Sequence, residues 1–421
     1  MSFSSIEEAM DLVRGTKTIV TAMAASEPQL FYQQAEKYLP NLENSILYCS
    51  NPSQPYPIFS DESLVDRVEI RPMFLTASIK NHRNKSHVHY VPQHLSQWAS
   101  NILKSNVDIF WGSCSEPNSR GFVSLGPSVC YEWEVMRKAK VVVLEVNSHI
   151  PFTFGSTLLH ISRIDFLLES QVELPSCKGE SYHPDDRKIA EYIGELVPDG
   201  STIQLGIGSI PNALVDVLAT KKDLGVHTEM INDAMYRLAE KGVITGGQKT
   251  MWPEKMVGSF AYGSKELYQF IHNNPTVELH PASIVNDSTR IGRNFQMISI
   301  NSAIEVDITG QVCSESIGHV EVTGVGGATD THIGAQKSEK GRGMIALRSR
   351  AKGDQPKIVT ELQPGAKVSI SRNDVDTVIT EFGIAELKGK SVAERVRRLI
   401  AISHPEDRLQ LRERAKDIGY L

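Results

Sequence analysis

The chain has 421 residues, of which 40% are hydrophobic and 22% charged, with 44 basic and 50 acidic side chains and a formal net charge of −6. This length exceeds one ordinary domain and predicts two or three. The mildly acidic balance argues against a dedicated binder of nucleic acid or anionic membranes. No apolar run is long enough to cross a membrane, and the amino terminus lacks the pattern of a signal peptide. We therefore expect a soluble, cytoplasmic protein.

Short apolar runs rich in β-branched residues alternate with helical patterns along the chain. Such runs predict an α/β fold with mainly parallel sheets that are covered on both faces. One stretch, residues 297–312, alternates in polarity and contains Thr309-Gly310, which predicts an antiparallel pair. The other predicted strands begin, in chain order, at Thr18, Ser45, Val107, Lys140, Thr202, Lys255, Gly343, Lys357 and Val375.

A polar segment at 171–186 has no periodicity and predicts an interdomain linker. A faint repeat flanks it. Gly15 and Gly200 each precede a Thr-Ile strand and a turn of small residues, and a proline follows near a helix start. The sequence thus predicts two similar open α/β domains, 1–175 and 188–421, with an active site in the cleft between them.

The last part of the chain predicts a helix that begins after Ser391, with Glu394 at the capping-box position. Apolar residues recur on one side of this helix. We therefore expect Val392, Val396, Leu399 and Ile400 to be buried.

The five cysteines lie far apart, and an odd number without CxxC spacing argues against a disulfide framework or a zinc ribbon. No HExxH or HxxxH pattern supports a helical zinc site. We expect reduced cysteines and no metal site. The local signatures of serine hydrolases, P-loop NTPases and protein kinases do not occur.

The strongest local signal is LGIGSIP at 205–211, where a strand leads through two glycines into a helix. Glycines let a ligand approach the backbone, and a helix N-terminus attracts anions. Pro211 replaces the third glycine of the dinucleotide fingerprint, which disfavours that fold. A turn that cradles an anionic or carbonyl-bearing ligand and a plain strand-to-helix turn both stay open.

Two further segments bear on chemistry. Glu229 follows an apolar run, where parallel sheets place functional groups, and a carboxylate there can act as nucleophile or base. Taken alone, it also fits a helix-start acid or an ion-pair member. The GVGG segment at 324–327 offers consecutive backbone N–H groups that can stabilise an oxyanion, with a flexible turn as the alternative.

Together, these segments resemble the acetyl-CoA hydrolase/transferase family, and within it the 4-hydroxybutyrate CoA-transferase branch. The resemblance extends over nearly the whole chain. It implies an acyl-CoA:carboxylate CoA-transferase that moves CoA between acetyl-CoA and a short-chain acid such as 4-hydroxybutyrate, through a glutamyl-CoA thioester and with ping-pong kinetics. An acetyl-CoA hydrolase on the same scaffold and a catalytically weakened CoA-binding protein are the alternatives. Besides the segments above, the matching stretches are VVVLEVN at 141–147, VHTEM at 226–230, GSKELY at 263–268, INSAIEVDITGQV at 300–312 and TEFGIAELKGKS at 380–391.

The resemblance also implies roles for individual residues. Glu229 is the expected nucleophile, Gly327 the oxyanion donor, and Glu381 and Asn286 support them near the active site. CoA and acyl-CoA are then substrates rather than permanently bound cofactors, and carboxylic acids are the other ligands. No metal, nucleic acid or membrane is involved, and a homodimer or higher homo-oligomer is expected. The implied CoA contacts are Gly206, Ile207, Gly208, Ser209, Ile210, Ile304, Thr323, Gly327 and Lys352.

The chain departs from the family pattern directly after the GVGG segment, at Ala328, Thr331 and Ile333. We expect these positions to lie near the acyl group. The departures therefore leave the acyl-CoA and the acid acceptor open.

Overall fold

The computed structural model describes residues 3–42, 44–60, 67–80, 87–177 and 181–421. Residues 178–180 of the predicted linker lie outside these ranges. The chain divides into two compact units, each built from more than one stretch of sequence. The first unit comprises Met1–Lys178, Glu229–Ile231 and Val257–Val285, and the second comprises Gly179–Thr228, Asn232–Met256 and Asn286–Leu421.

Helices occur throughout both units. Short 3₁₀ helices span Ala24–Ser26, Ala35–Leu42, Leu95–Gln97, Ile161–Arg163 and Pro405–Asp407. The α-helices are α1 (Ile6–Asp11), α2 (Gln29–Gln34), α3 (Pro57–Ser60), α4 (Ala77–Lys80), α5 (Trp98–Ile102), α6 (Glu132–Met136), α7 (Pro184–Glu195), α8 (Ser209–Leu218), α9 (Asp233–Glu240), α10 (Lys265–Ile271), α11 (Ala282–Val285), α12 (Ser288–Ile291), α13 (Ala328–Lys337), α14 (Val392–Ile402) and α15 (Arg408–Asp417).

The β-strands are mostly short. They are β1 (Thr18–Thr21), β2 (Ser45–Cys49), β3 (Val68–Pro72), β4 (Ile109–Cys114), β5 (Phe122–Ser124), β6 (Val141–Asn147), β7 (Phe154–Gly155), β8 (Leu158–His160), β9 (Phe166–Ser170), β10 (Thr202–Leu205), β11 (Gly225–His227), β12 (Met230–Ile231), β13 (Met256–Gly258), β14 (Phe260–Ala261), β15 (Val277–Leu279), β16 (Met297–Ser302), β17 (Glu305–Asp307), β18 (Val312–Cys313), β19 (Ser316–Ile317), β20 (Val320–Glu321), β21 (Arg342–Ala346), β22 (Ile358–Val359), β23 (Thr377–Thr380) and β24 (Gly383–Glu386).

The first unit contains a six-stranded parallel sheet in the order β3-β2-β1-β4-β6-β9. Its four inner strands, β2, β1, β4 and β6, are almost wholly buried, which explains why they appear in the sequence as largely apolar runs. Several aromatic side chains belong to the core of this unit, and the rings of Phe31 and Trp111 lie 4.7 Å apart. Burial of each such side chain contributes about 2–3 kcal/mol to folding.

In the second unit, strands follow the order β24-β23-β21-β16-β10-β11. All neighbours are parallel except β23 and β24, which form an antiparallel pair. A separate apolar cluster surrounds β17, β22, β23 and α14 and includes Val306, Ile358, Val378 and Leu399. The predicted α/β fold with mainly parallel sheets is confirmed.

The prediction for residues 297–312 is wrong in its first half. Strand β16 pairs in parallel with β10 and β21, because Met297–Ile300 are buried on both faces of the sheet. Only β17 and β18 form the antiparallel pair, with Val306 opposite Val312. The carboxylate of Asp307 closes the turn by accepting the backbone N–H groups of Thr309 and Gly310.

The predicted helix at the carboxyl-terminal end is confirmed as α14, with Ser391 as N-cap and a complete capping box to Glu394. Val396, Leu399 and Ile400 are buried as expected. Val392 is not, with 38% of its surface exposed, because it lies in the first turn and ahead of the packed face. Ile402 is buried instead.

The predicted linker ends earlier than its composition indicates. Helix α7 begins at Pro184, so three residues assigned to the linker are helical. The imidazole of His183 caps this helix, and the carboxylate of Asp186 accepts the backbone N–H of His183 in return. This capping box fixes Asp186 on the first turn of α7.

Candidate functional site

Three neighbouring parallel strands of the second unit, β21, β16 and β10, end at the same edge of the sheet. The chain leaves β10 for β11 on one side and returns to β16 on the other, and ligands of open α/β sheets bind at such a switch point. A cavity of about 310 Å³ lies there. It is lined by Asp186, residues 207–211, Ser302, Ala303, residues 346–348, residues 350–352 and Lys357.

The glycine turn of the sequence forms one wall of this cavity. Gly208 has φ +118° and ψ −169°, a conformation that essentially only glycine adopts. The amide of Asn232 donates to the carbonyl oxygen of Gly206 at 2.8 Å and so fixes the other end of the turn. Ile207 lies between the two glycines, and 63% of its surface is exposed.

Helix α8 starts at this turn and presents its amino terminus to the cavity, since Ser209, Ile210 and Pro211 line it. Among the described residues, no side chain caps α8 at Gly208, and its first turn holds no acidic residue. The N–H groups of a helix start carry partial positive charge. This wall therefore suits an anion.

Cations dominate the other wall. The cavity is lined by Arg348, Arg350, Lys352 and Lys357, against Asp186 as the one carboxylate among its lining residues. Counted over the lining residues alone, the formal charge is positive, whereas the net charge of the whole chain is −6. A local excess of positive charge raises the affinity for anionic ligands.

Arg348 forms a two-pronged ion pair with Asp186. Its Nε and Nη2 atoms lie 2.7 Å and 2.5 Å from the two carboxylate oxygens. Burial favours a raised pKa for the Asp186 carboxyl, but hydrogen bonds from Arg348, His183 and Ser209 outweigh it and lower the pKa below its ordinary value. Asp186 is therefore ionised at neutral pH.

Arg350 is paired as well, with two carboxylates near the carboxyl terminus. Its guanidinium donates to Asp407 at 2.6 Å and 3.1 Å and to Glu406 at 2.8 Å. The hydrogen bonds that Arg350 donates to these carboxylates raise its pKa above the ordinary value.

Lys357 stands apart from the other cations because it is half-buried and its amine donates to a neutral group, the carbonyl oxygen of Ala303, at 2.9 Å. Burial and the neighbouring Arg348 lower its pKa to about 8.

Glu381 is buried and holds the segment that carries the two arginines. Its carboxylate accepts the backbone N–H of Ser349 at 2.8 Å and the hydroxyl of Ser349 at 2.6 Å. Glu381 thereby fixes Ser349 between Arg348 and Arg350.

Glu229, the expected nucleophile, is half-buried and belongs to the first unit. Its carbonyl oxygen accepts the N–H groups of Ser259 and Phe260 at 2.8 Å and 3.0 Å. The following residues form β12, which pairs with β14. The backbone at Glu229 is therefore fixed on both sides.

The remaining predicted residues are not among those that line the cavity. Ile304 follows Ala303, and its N–H donates to the carbonyl oxygen of Cys313 at 2.8 Å. Gly327 is buried and precedes α13 as its N-cap. Thr323 is half-buried, and Asn286 is fully buried.

The departure at Thr331 has a packing role. Its side chain is buried, and its hydroxyl oxygen lies 3.0 Å from that of Ser299 on β16, which donates to it. Thr331 thus fastens α13 to the sheet.

Sequence reasoning found the glycine turn and Lys352 but missed four charged residues of the cavity, Asp186, Arg348, Arg350 and Lys357. The sequence did contain a signal for the two arginines, since RSRAK at 348–352 has three cations in five residues shortly after β21. Asp186 and Lys357 carry no such local signal.

Among the described residues, no group of three or more His, Cys, Asp and Glu side chains is arranged to hold a metal ion. In the same part of the chain, no helix has the length and apolar character needed to span a membrane. All five cysteines are free thiols, and four of them are buried.

Comparison with known proteins identifies the family. The N-terminal domain model of the acetyl-CoA hydrolase/transferase family matches residues 2–174, and its C-terminal domain model matches residues 263–415. The chain is 35% identical over 412 residues to the succinyl-CoA:cyclohexane-1-carboxylate CoA transferase of Geobacter metallireducens. The alignment covers 97% of this chain and 94% of that protein. It is 43% identical over 306 residues to the 4-hydroxybutyrate coenzyme A transferase of Clostridium kluyveri, covering 72% and 71% of the two chains.

A solved structure agrees with these matches. The crystal structure of a 4-hydroxybutyrate CoA-transferase from Porphyromonas gingivalis superposes with a TM-score of 0.84 and 33% identity, over 99% of this chain and 97% of that one. Matches to both domain models, together with this similarity along the full length, confirm the resemblance seen in the sequence. The chain belongs to the acetyl-CoA hydrolase/transferase family of enzymes.

Proposed function

We propose that this chain is an acyl-CoA:carboxylate CoA-transferase and that the cavity of the second unit receives the CoA moiety. One observation carries the proposal. Ile207–Ile210 and Lys352, which the family resemblance implies as CoA contacts, line the same cationic cavity at the switch point of the sheet. CoA bears several phosphate charges. The cavity offers them four cations, two of which are already paired with carboxylates, and the amino terminus of α8. The transferase activities named for the relatives support the reaction class.

The proposed chemistry begins when a Glu229 carboxylate oxygen attacks the thioester carbonyl of acyl-CoA. The C–S bond breaks, which gives an acyl-glutamyl anhydride and CoA thiolate. The thiolate attacks the glutamyl carbonyl of the anhydride, so that a glutamyl-CoA thioester forms and the acyl group leaves as a carboxylate. A second carboxylate then attacks the glutamyl-CoA, and the steps run in reverse. Covalent catalysis of this kind produces ping-pong kinetics.

Each attack creates an oxyanion that needs a hydrogen-bond donor. We assign this role to the backbone N–H of Gly327, which begins a helix, because a helix start stabilises negative charge. Loss of one such donor slows a reaction by about 10²–10³-fold. Asn286 supports the nucleophile, and Glu381 acts as a positioning residue through Ser349.

Among acids, we propose acetate and 4-hydroxybutyrate as the exchanging pair, on the strength of the 43% identity to the Clostridium kluyveri enzyme. Butyrate, propionate, succinate and cyclohexanecarboxylate complete the panel of acceptors to be compared. The ratio of kcat/KM values across the panel identifies the preferred acid. We further propose that the protein acts as a homodimer, the commonest symmetric assembly.

The test uses 4-hydroxybutyryl-CoA with isotopically labelled acetate. Formation of labelled acetyl-CoA in step with loss of the donor supports the transferase. Release of free CoA without labelled acetyl-CoA would show an acetyl-CoA hydrolase type of activity instead. If neither product forms while CoA still binds, the chain is a CoA-binding protein without this activity.

A further inference from the structure

The four cations of the cavity differ in how much of their charge is already neutralised. Arg348 is paired with Asp186, and Arg350 with Asp407 and Glu406. Among the described residues, neither Lys352 nor Lys357 makes an ion pair of this kind. A second anion gains less from a guanidinium that already binds a carboxylate. The two lysines therefore carry the positive charge that is available to a ligand.

The two lysines also differ from each other. Lys352 is exposed, whereas Lys357 is half-buried and its main chain is bonded on both sides. The N–H of Lys357 donates to Ser349 and its carbonyl oxygen accepts from Val306, both at 2.8 Å. The backbone of Lys357 is thus fixed directly before β22, and its side chain lines the cavity. A fixed cation loses less entropy on binding a ligand than a mobile surface lysine.

We propose that Lys357 binds a phosphate group of CoA and takes up a proton as CoA binds. This inference rests on the proposed function, because it takes CoA as the ligand of the cavity. It adds a residue that the sequence did not indicate, and it couples substrate binding to pH.

The coupling follows from the surroundings of Lys357. Burial and the positive charge of Arg348 favour the neutral amine, while the carboxylates of Glu381 and Asp186 favour the charged form, and the net pKa is about 8. A phosphate anion beside the amine adds a strong preference for the charged form and raises the pKa. At any pH at which a fraction of the unliganded molecules has a neutral Lys357 amine, CoA binding must therefore take up protons from solution.

The experiment is calorimetric titration of the full chain with S-methyl-CoA, in pairs of buffers that differ in ionisation enthalpy, from pH 7 to pH 9. This thioether has no acyl group to transfer and no thiol to titrate. At pH 8 we expect uptake of about half a proton per ligand, because about half of the amines with this pKa are neutral there. We expect less uptake at pH 7 and more at pH 9.

Matched variants separate Lys357 from its neighbours. Lys357→Met should weaken binding about 10- to 100-fold at pH 7 and abolish the proton uptake. Lys357→Arg, which stays charged, should retain binding within about fivefold and also abolish the uptake. Lys352→Met should weaken binding but leave the number of protons unchanged. Dephospho-CoA and pantetheine then show whether the 3′-phosphate or the diphosphate is the group involved.

The outcomes distinguish two failures. Tight binding by the wild type without proton uptake, or uptake that persists in Lys357→Arg, would overturn the role of Lys357 and leave the CoA site intact. Failure of the wild type to bind S-methyl-CoA at all would overturn the CoA site, and with it the proposed function. Undiminished affinity of pantetheine would exclude the phosphate contact.

Discussion

The guanidinium of Arg348 donates to both carboxylate oxygens of Asp186, at 2.7 Å from Nε and 2.5 Å from Nη2. The pair joins the first turn of α7 to the segment after β21, two elements that lie far apart in sequence. The side chain of Asp186 is only 1% exposed, whereas that of Arg348 is 36% exposed and lines the cavity. The pair thus ties the stability of the second unit to the shape of the ligand site.

Asp186→Asn should destabilise the protein by about 2–3 kcal/mol, because it breaks a largely buried, two-pronged pair and leaves Arg348 without its counter-charge. Urea-induced unfolding at pH 7 measures the loss. Asp185→Asn on the same turn is the control and should change stability by less than about 0.5 kcal/mol, since the ion-pair partners of Asp185, His183 and Lys188, are exposed to solvent. Equal effects of the two substitutions would contradict the structural role of the pair.

The same pair predicts a pH dependence. Because hydrogen bonds lower the pKa of Asp186 in the folded protein, its contribution to stability is present above the ordinary value of 3.8 and is lost as the pH falls through the lower folded value. Asp186→Asn should remove this part of the acid dependence. Stability profiles of the variant and the wild type that stay parallel below pH 4 would contradict the assignment.

Gly208→Ala should weaken CoA binding and cost about 1–3 kcal/mol of stability, because alanine at φ +118° is strained and must shift the turn that lines the cavity. A Cβ at Gly208 meets no atom within 4 Å, so any loss comes from the backbone conformation rather than from a clash. Gly206→Ala, also free of contacts but without a positive φ, is the matched control for stability. If both variants unfold at the same urea concentration, backbone strain at Gly208 is unimportant.

Glu27 in the first unit predicts a second pH effect, of opposite sign to that of Asp186. It is 1% exposed, and burial raises its pKa from 4.5 to about 7 despite hydrogen bonds from Ser53 and from Tyr56 at 2.6 Å. Its contribution to stability is therefore fully present below pH 4.5 and is lost as the pH rises to about 7.

Glu27→Gln mimics the protonated acid and should remove this dependence. Relative to the variant, the wild type should lose roughly 3 kcal/mol of unfolding free energy between pH 4.5 and pH 8. Glu36→Gln, at an exposed position of the same unit, should parallel the wild type throughout. A constant difference between wild type and Glu27→Gln over this range would show that Glu27 does not titrate as the structure indicates.

Local signals in the sequence predicted much of the fold and part of the site. Strand β2 was predicted to the residue, because its apolar run is bounded by polar residues on both sides. The glycine turn was predicted because strand, glycines and helix start are contiguous. By contrast, Asp186 and Lys357 come to line the same cavity as the turn only after separate segments fold onto one edge of the sheet. From the local sequence alone, Asp186 was assigned to a linker and Lys357 to the start of a strand.

Glu229 is the proposed nucleophile. Glu229→Gln should lower the rate of CoA transfer by at least about 10³-fold, because an amide cannot form the anhydride or the thioester. Binding of S-methyl-CoA should persist, since the cavity lies in the second unit and Glu229 does not line it. Glu169→Gln, at an exposed position of the first unit, should transfer CoA at the wild-type rate.

The most direct measurement is borohydride trapping of the covalent intermediate. The protein is treated with acetyl-CoA in the absence of acceptor, reduced with borohydride, digested and mapped by mass spectrometry. We predict conversion of the Glu229 carboxyl to an alcohol, a loss of about 14 Da confined to the peptide that contains Glu229, with no change when acetyl-CoA is omitted. An unmodified Glu229 peptide from a preparation that is transferring CoA would contradict the account.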